Sequence, residues 1–493
     1  MKKIKEIFDS KKLELVVFIC GAMGMVIELV AARILSPYVG SSNLIWTTII
    51  GIMLVFMSLG YWIGGKIADK DNDMKDLSEF LCITAIAISL ISILETVVVN
   101  QLTQIIDARI IVAIISATFL FGIPSFLLAT ASPIAVKLKN NEQKQVGKVS
   151  GKISSLSTIG SIFGTFFAGF VLIPNLGVSN IILGCSLLLF VLSLIIYPNK
   201  NKKYITKMIL ILIIIVIFWG LGKYIFKKER PDIIKDVDSE YSRMWVRNIT
   251  TTDGTKYKTL QVDTGLESYI DEETGEMGAR YLKYYDLFEY YDKNADNTLM
   301  IGGAAYTYPK HYLNKYENKT IDVVEIDEKM TEIAEEEFGL DRNNSRLGIF
   351  HQDGRTYINT CKEKYDVILI DAFKGLNAPF ELTTYEAISN AYNILNEDGI
   401  VITNIISSLE GEESDFIKYE YSTYKTIFDD VKVFAVSSDS KEDTQNLILV
   451  GIKGNPEINE EKENEYKELL NREVKNYESD KTIVTDDFAP IGN

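Results

Sequence analysis

Two glycines and a set of carboxylates hold the chemistry this sequence offers. Gly302 and Gly303 end an apolar run at 299–301, and Glu325 and Asp327 end a second at 321–326. Asp353-Gly354 end a third, and Asp371 ends a fourth at 367–370. Glycine lets backbone approach a ligand where a side chain would block it. An acid about 20 residues beyond such a turn suits the hydroxyl pair of a ribose, and Glu325 stands there. Asp353 is placed to accept from an adenine amino group, and Asp371 falls where the reacting centre of a bound nucleoside would lie. Acids of this kind also cap helices or solvate loops, and Asp327 reads equally well as a cap.

The elements that must position these residues follow from the same pattern. Four short apolar runs, each ending in Gly or an acid and alternating with helical stretches, read as a parallel βαβ sheet. Ligands of such sheets sit beyond the carboxyl ends of the strands. Beyond it, 383–395 and 414–428 read as helices, 399–406 as a fifth strand, and 432–436 and 447–452 as closing strands. Upstream, 244–250, 258–263 and 267–270 are short strands split by the hairpin signals Asp253-Gly254 and Thr264-Gly265. A Tyr-rich helix is expected over 277–291, with Tyr284 and Tyr285 able to edge the site. Residues 455–482 are highly charged and read as a surface helix or tail.

The first 230 residues differ in kind. Apolar runs long enough to cross a bilayer occur at about 13–35, 44–68, 80–99, 109–136, 153–174, 178–197 and 205–226. The expected architecture is a multi-pass helical membrane domain of seven spans at 1–230 and a linker with a small β-region at 231–275. An α/β Rossmann-like nucleoside-binding domain at 276–455 and a charged tail at 456–493 complete it. Phe121-Gly122-Ile123-Pro124 interrupts the fourth run, which is too short for two crossings. Gly160, Gly164 and Ala168 form a small-residue series suited to close helix packing. Charges inside a span are costly; Glu28 and Arg33 are read as a polar pair facing the bundle interior, structural or on a substrate path.

Charge is divided unevenly. Residues 1–230 carry a net charge of +10 and residues 231–493 a net charge of −26, which together give the −16 of the whole chain. An acidic soluble half argues against nucleic acid and accommodates a cationic substrate. Lysines cluster in the N-terminal segment and in the loops after spans two, four and six, whereas 36–43, 100–108 and 175–180 hold no Lys or Arg. The positive-inside rule then puts the soluble half outside, while the supply of a nucleoside co-substrate favours the cytoplasm. The four Cys show no disulfide framework, and the two His, His311 and His351, have no ligand-spaced partners, so no metal is expected.

Ser239-Glu240-Tyr241, IGG at 301–303, VVEID at 323–327, DG at 353–354 and YDVILIDAF at 365–373 resemble the spermidine synthase (polyamine aminopropyltransferase) family over about 239–452. GxxxxxxEL at 21–29 and SLGYWIGGKIAD at 58–69 are similar to its membrane-fused members. The resemblance implies a Rossmann-like sheet with an N-terminal β-domain, decarboxylated S-adenosylmethionine as co-substrate, an amine acceptor and, as in related soluble enzymes, a homodimer. It implies that Glu325 holds the ribose, Asp353-Gly354 the adenine, and Gly302-Gly303 the turn beneath the thioether. Asp371 takes the proton of the attacking amine. On the amine side the chain departs from the family pattern. Ser242 replaces a Gln, Tyr284-Tyr285-Asp286 replaces Tyr-His-Glu, Ala305 replaces an Asp, and Lys374-Gly375 replace a second acid and a Pro. Tyr241, Tyr284, Tyr285 and Asp263 are the candidate substrate residues, and Asp263, Glu267 and Glu381 are acids able to restore a cationic pocket. Three activities remain open: aminopropyl transfer to an amine, methyl transfer from S-adenosylmethionine itself, and nucleoside or polyamine binding without catalysis beside a transporter-like membrane domain.

Overall fold

The computed structural model describes residues 2–70, 73–106, 108–143, 146–198, 201–372 and 379–488. The chain divides into two compact units, Met1–Trp245 and Val246–Asn493.

Among the described residues, the first unit holds seven helices long and apolar enough to span a membrane. They are Lys11–Val39, Asn43–Ala68, Met74–Ile105, Arg109–Lys139, Val146–Asn175, Val178–Ile196 and Lys202–Glu229, matching the seven runs in the sequence. The interruption in the fourth is absorbed as a single π-helical turn, Thr118–Gly122, within one continuous span. Gly160 and Gly164 lie against the backbone of the first span, where a Cβ would overlap the carbonyl groups of Phe18 and Ala22. This is close packing of the small-residue kind. Arg33 sends its guanidinium to the carbonyl of Glu240. Glu28, five residues earlier, points roughly 140° away around the helix, so the two do not share a stripe.

Strand β1 (Ile233–Asp238) and the start of β2 (Arg243–Thr250) close the first unit. Within the 231–275 stretch, expected as a linker with a small β-region, the first strand begins at Ile233. Its acids are held by buried partners. Arg243 donates to Asp236 (2.8 and 3.0 Å) and to Glu95 (2.9 Å), and Trp245 Nε1 donates to Asp236 (3.0 Å).

In the second unit β3 (Lys256–Val262) and β4 (Gly265–Asp271) form an antiparallel hairpin. The small sheet runs in the order β1-β2-β3-β4. The main sheet is built from β5 (Asn297–Ile301), β6 (Thr320–Val324), β7 (Leu347–Phe350), β8 (Tyr365–Ile370), β9 (Leu395–Ser407), β10 (Asp430–Ala435) and β11 (Gln445–Ile452). Its order is β10-β11-β9-β8-β5-β6-β7. The five strands from β5 to β9 are parallel, and β11 runs antiparallel to both β9 and β10. Central parallel strands are covered on both faces and so read as unbroken apolar runs. Leu299–Ile301 and Val367–Ile370 are buried throughout. This mixed sheet with flanking helices is the Rossmann-like α/β architecture expected from the sequence.

Two elements differ from expectation. The stretch 277–291 is not one α-helix: Arg280–Leu287 is 3-10 and only Phe288–Tyr291 is α-helical. In a 3-10 helix, residues three apart eclipse, which stacks Leu282, Tyr285 and Phe288 on one buried line. The charged C-terminal stretch is more than a surface tail. After the helix Glu463–Leu470, Val474 N–H donates to the Val433 carbonyl, and Val484, fully buried, accepts from Tyr385 N–H (2.7 Å).

Candidate functional site

The register of the sheet assembles the site. Ile301 is paired with Val324 on one side and Ile370 on the other. The residues that follow them, Gly302, Glu325 and Asp371, therefore lie side by side. Here the sheet's strand order reverses around β5, and such a switch point leaves a crevice at the carboxyl ends.

The glycine turn is held from below by Glu325. Its Oε2 accepts from the N–H groups of Gly303 (2.9 Å) and Ala304 (3.1 Å), and its Oε1 accepts from Asp327 N–H (3.0 Å). Burial pushes the Glu325 carboxyl up from the usual range, and the three N–H groups oppose that shift. A carboxylate offers about four acceptor sites, so one remains for a ligand hydroxyl. Gly302 has φ +93, and a Cβ there would overlap the Asp371 carbonyl oxygen. Ala304 (φ +45) and Tyr306 (φ +54) also adopt left-handed backbone, an uncommon conformation for residues with a Cβ. The turn is thus closely specified.

Asp353 caps the helix Gly354–Thr360, its Oδ1 accepting from Thr356 N–H (2.8 Å). A Cβ on Gly354 would come to 2.6 Å from Ile301 Cγ2, which ties that loop to the end of β5. Asp327 likewise caps the helix Glu328–Phe338.

Asp371 is held at both oxygens. Tyr281 donates to Oδ2 (3.1 Å) and Asn404 Nδ2 donates to Oδ1 (3.1 Å). Asn446 in turn donates to Asn404 Oδ1 (3.0 Å), which fixes the orientation of the Asn404 amide. Burial raises the Asp371 carboxyl, and the donors Asn404, Tyr285 and Tyr281 pull it back. Tyr285 is buried beside this carboxylate, although its hydroxyl makes no hydrogen bond of normal geometry. Its ring meets Tyr281 edge-on at 5.8 Å and Tyr308 at 5.1 Å. Tyr308 donates to Asp286 (3.0 Å), which also binds His311 Nε2 and Lys315 Nζ, each at 3.0 Å. Burial alone would raise the Asp286 carboxyl, yet His311 and Lys315 hold it below its usual value.

The other expected residues are placed differently. Tyr284 packs against Phe434 at 5.9 Å, away from the Asp371 cluster. Asp263 is buried at the turn between β3 and β4, with φ 49, and its carbonyl accepts from Gln261 Nε2. Tyr241 belongs to the first unit and is exposed, and Glu28 and Arg33, both half-buried, lie in the first span of that unit. Lys374 and Gly375 lie outside the described residues. Three residues of the site were missed. Asn404 is a lone amide in the apolar strand Val401–Ile406, which is a readable signal. Tyr281 was visible only as one of several Tyr. Ser268, whose Oγ accepts from Ala305 N–H (3.3 Å), gave no signal. Among the described residues no group of three or more His, Cys, Asp or Glu is arranged to hold a metal.

Comparison with known proteins agrees with this fold. Residues 287–442 match the model of the spermine/spermidine synthase domain. The chain is 28% identical over 180 residues to a probable polyamine aminopropyl transferase of Bifidobacterium longum (strain NCC 2705), covering 36% of this chain and 38% of that protein. It is 23% identical over 410 residues to polyamine aminopropyltransferase 2 of Aquifex aeolicus (strain VF5), covering 80% and 79%. A crystal structure of a probable spermidine synthase from Corynebacterium glutamicum ATCC 13032 aligns with TM-score 0.44 and 20% identity, over 53% of this chain and 99% of that one. The chain thus spans under two fifths of the Bifidobacterium relative and about four fifths of the Aquifex one. What the domain match, the two polyamine aminopropyltransferase relatives and the seven spans establish is a fold like that of spermidine synthases and polyamine aminopropyltransferases, fused to a multi-pass membrane region.

Proposed function

We propose that the second unit transfers the aminopropyl group of decarboxylated S-adenosylmethionine to a primary amine, with Asp371 as general base. The observation that carries this reading is the Asp371 carboxylate, held by Tyr281 and Asn404 and set one strand from the Gly302 turn. In this reading the free acceptor site of Glu325 receives a ribose hydroxyl, and Asp353 Oδ2 receives the adenine amino group through the face not used in capping. Gly302 and Gly303 leave room for the thioether end.

The chemistry is a displacement. The amine nitrogen attacks the methylene carbon bonded to the sulfonium sulfur. A C–N bond forms as the C–S bond breaks, and the sulfur keeps the electron pair as a neutral thioether. The proton shed by the new ammonium passes to Asp371, whose elevated pKa brings it nearer the working pH. Tyr285 and Tyr281 line the approach to that carboxylate. Methyl transfer is a second reading, favoured by Ala305: its backbone N–H meets Ser268 where the resemblance leads one to expect a carboxylate for a cationic amine. The test is incubation of the purified full chain, in detergent, with each co-substrate and a set of primary amines. A product heavier by a propylamine supports the first reading, a methyl adduct the second. Binding of either co-substrate without any adduct would leave only the non-catalytic reading.

A further inference from the structure

The two ends of the membrane bundle are built differently. At one end, lysines of separate helices meet acids. Glu14, in the first span, pairs with Lys139 from the end of the fourth and with Lys152 in the fifth (2.5 Å). Asp69, which follows the second span, faces Lys137 (3.5 Å), and Glu79 in the third faces Lys207 in the seventh (3.1 Å). Ion pairs between spans thus gather the lysine-rich termini on one face.

The other end is where the polypeptide leaves the bundle. Val178 N–H, at the start of the sixth span, donates to Asp238 (3.0 Å). Glu95, in the third, pairs with Arg243, and Arg33, in the first, donates to the Glu240 carbonyl. All of these residues belong to the first unit. The loops at this end, 36–43, 100–108 and 175–180, carry no Lys or Arg. We infer that the site around Gly302 and Asp371 works on the non-cytoplasmic side of the membrane, on a primary amine presented there.

The positive-inside rule counts Lys and Arg in short loops and near span ends and gives little weight to acids. It holds the lysine-bearing face in the cytoplasm, so Trp245, where the first unit ends, lies on the opposite side. Arg109, at the start of the fourth span, and Lys227, Lys228 and Arg230, at the end of the seventh, weigh the other way, against four lysine clusters. Arg230 stands over the Trp245 ring at 4.7 Å. Beyond Trp245 no described helix is long and apolar enough to cross back. The side of the membrane rests on the first unit alone, whereas the amine rests on the transfer reading given above. A sulfonium co-substrate is charged and does not cross hydrocarbon unaided, so in cells the reaction would respond to donor supplied on the outer face.

The experiment uses the full chain with its four native Cys replaced and one new Cys, either Glu460→Cys or Ser440→Cys, both at exposed positions of the second unit. Lys148→Cys, exposed at the lysine-rich end, is the reference. Intact cells are treated with a membrane-impermeant maleimide. The expected result is full labelling of both second-unit positions before lysis, with no gain afterwards, and labelling of Lys148→Cys only after lysis. The reverse pattern overturns the inference even if the purified chain transfers aminopropyl groups. Labelling from outside with no adduct on any amine keeps the orientation and removes the amine, which separates this failure from that of the transfer reading.

Discussion

Asp371 combines burial with two fixed donors, and the balance between them sets its chemistry. Burial raises its carboxyl above the ordinary value of about 3.9. A base works only when ionised, so kcat/KM falls as the pH drops through that raised pKa, and the acidic limb of the profile lies above the ordinary carboxylate range. Asn404→Leu removes one donor to the ionised form. A hydrogen bond to a charged group contributes about 1.5–3 kcal/mol, so the limb moves up by about 1 unit or more while the basic limb stays. An unchanged profile would show that Asn404 does not tune Asp371. In the role proposed above, Asp371→Asn removes the proton acceptor, and its NH₂ can be met by the Tyr281 hydroxyl, which can turn to accept: turnover falls by roughly 10²–10⁴-fold, and binding of the co-substrate, measured by calorimetry, is kept. Glu325 acts differently. In Glu325→Gln one oxygen becomes an NH₂ that faces a backbone N–H, leaving donors unmatched. The expected outcome is roughly 10–100-fold weaker nucleoside binding with little change in the pH profile.

At the scale of elements, the turn after β5 is the part least able to change. Gly302→Ala must place a Cβ at φ +93 against the Asp371 carbonyl. Relief requires the ends of β5 and β8 to part, which moves Glu325's partners and Asp371 together. Co-substrate binding should be lost and the thermal midpoint of the second unit lowered, whereas Gly275→Ala, with open space around its Cβ, should lower the midpoint modestly and spare binding. The parallel strands were legible in the sequence because a doubly covered strand is an unbroken apolar run, and each run stops where the crevice begins. The 3-10 stretch Arg280–Leu287 was not legible, because its shape is set by which Tyr must enter the core and which must reach Asp371. The same holds for Val484: an isolated Val in a charged stretch means nothing until Thr423 and Tyr385 are found beside it. β1 was hidden by its charges, since Asp236 and Asp238 look like linker residues until their partners Arg243 and Val178 N–H are known.

At the scale of the whole molecule, the chain joins a basic membrane bundle to an acidic domain, and the first strands after the last span are fastened to the bundle by buried charge. Arg243 is 3% exposed and bonded to Glu95 and Asp236. Taking such ions out of water costs energy that their attraction only partly returns, so the cluster adds little net stability against an apolar equivalent. Its effect is one of placement: it ties the third span, at the start of its π-helical turn Glu95–Val99, to β2. Removing one ion strands the other. Arg243→Met should therefore destabilise the first unit by about 3–5 kcal/mol, read as a lower midpoint in detergent. Glu95→Gln should cost less, because Asp236 still answers Arg243. Glu95→Gln combined with Arg243→Met should recover part of the loss of Arg243→Met alone, since it no longer leaves the buried Glu95 carboxylate without its cation. If the two losses simply add, Glu95 and Arg243 do not act as a pair and the fastening must lie elsewhere, in the Tyr38–Trp245 ring contact or the Asp238 cap on the sixth span.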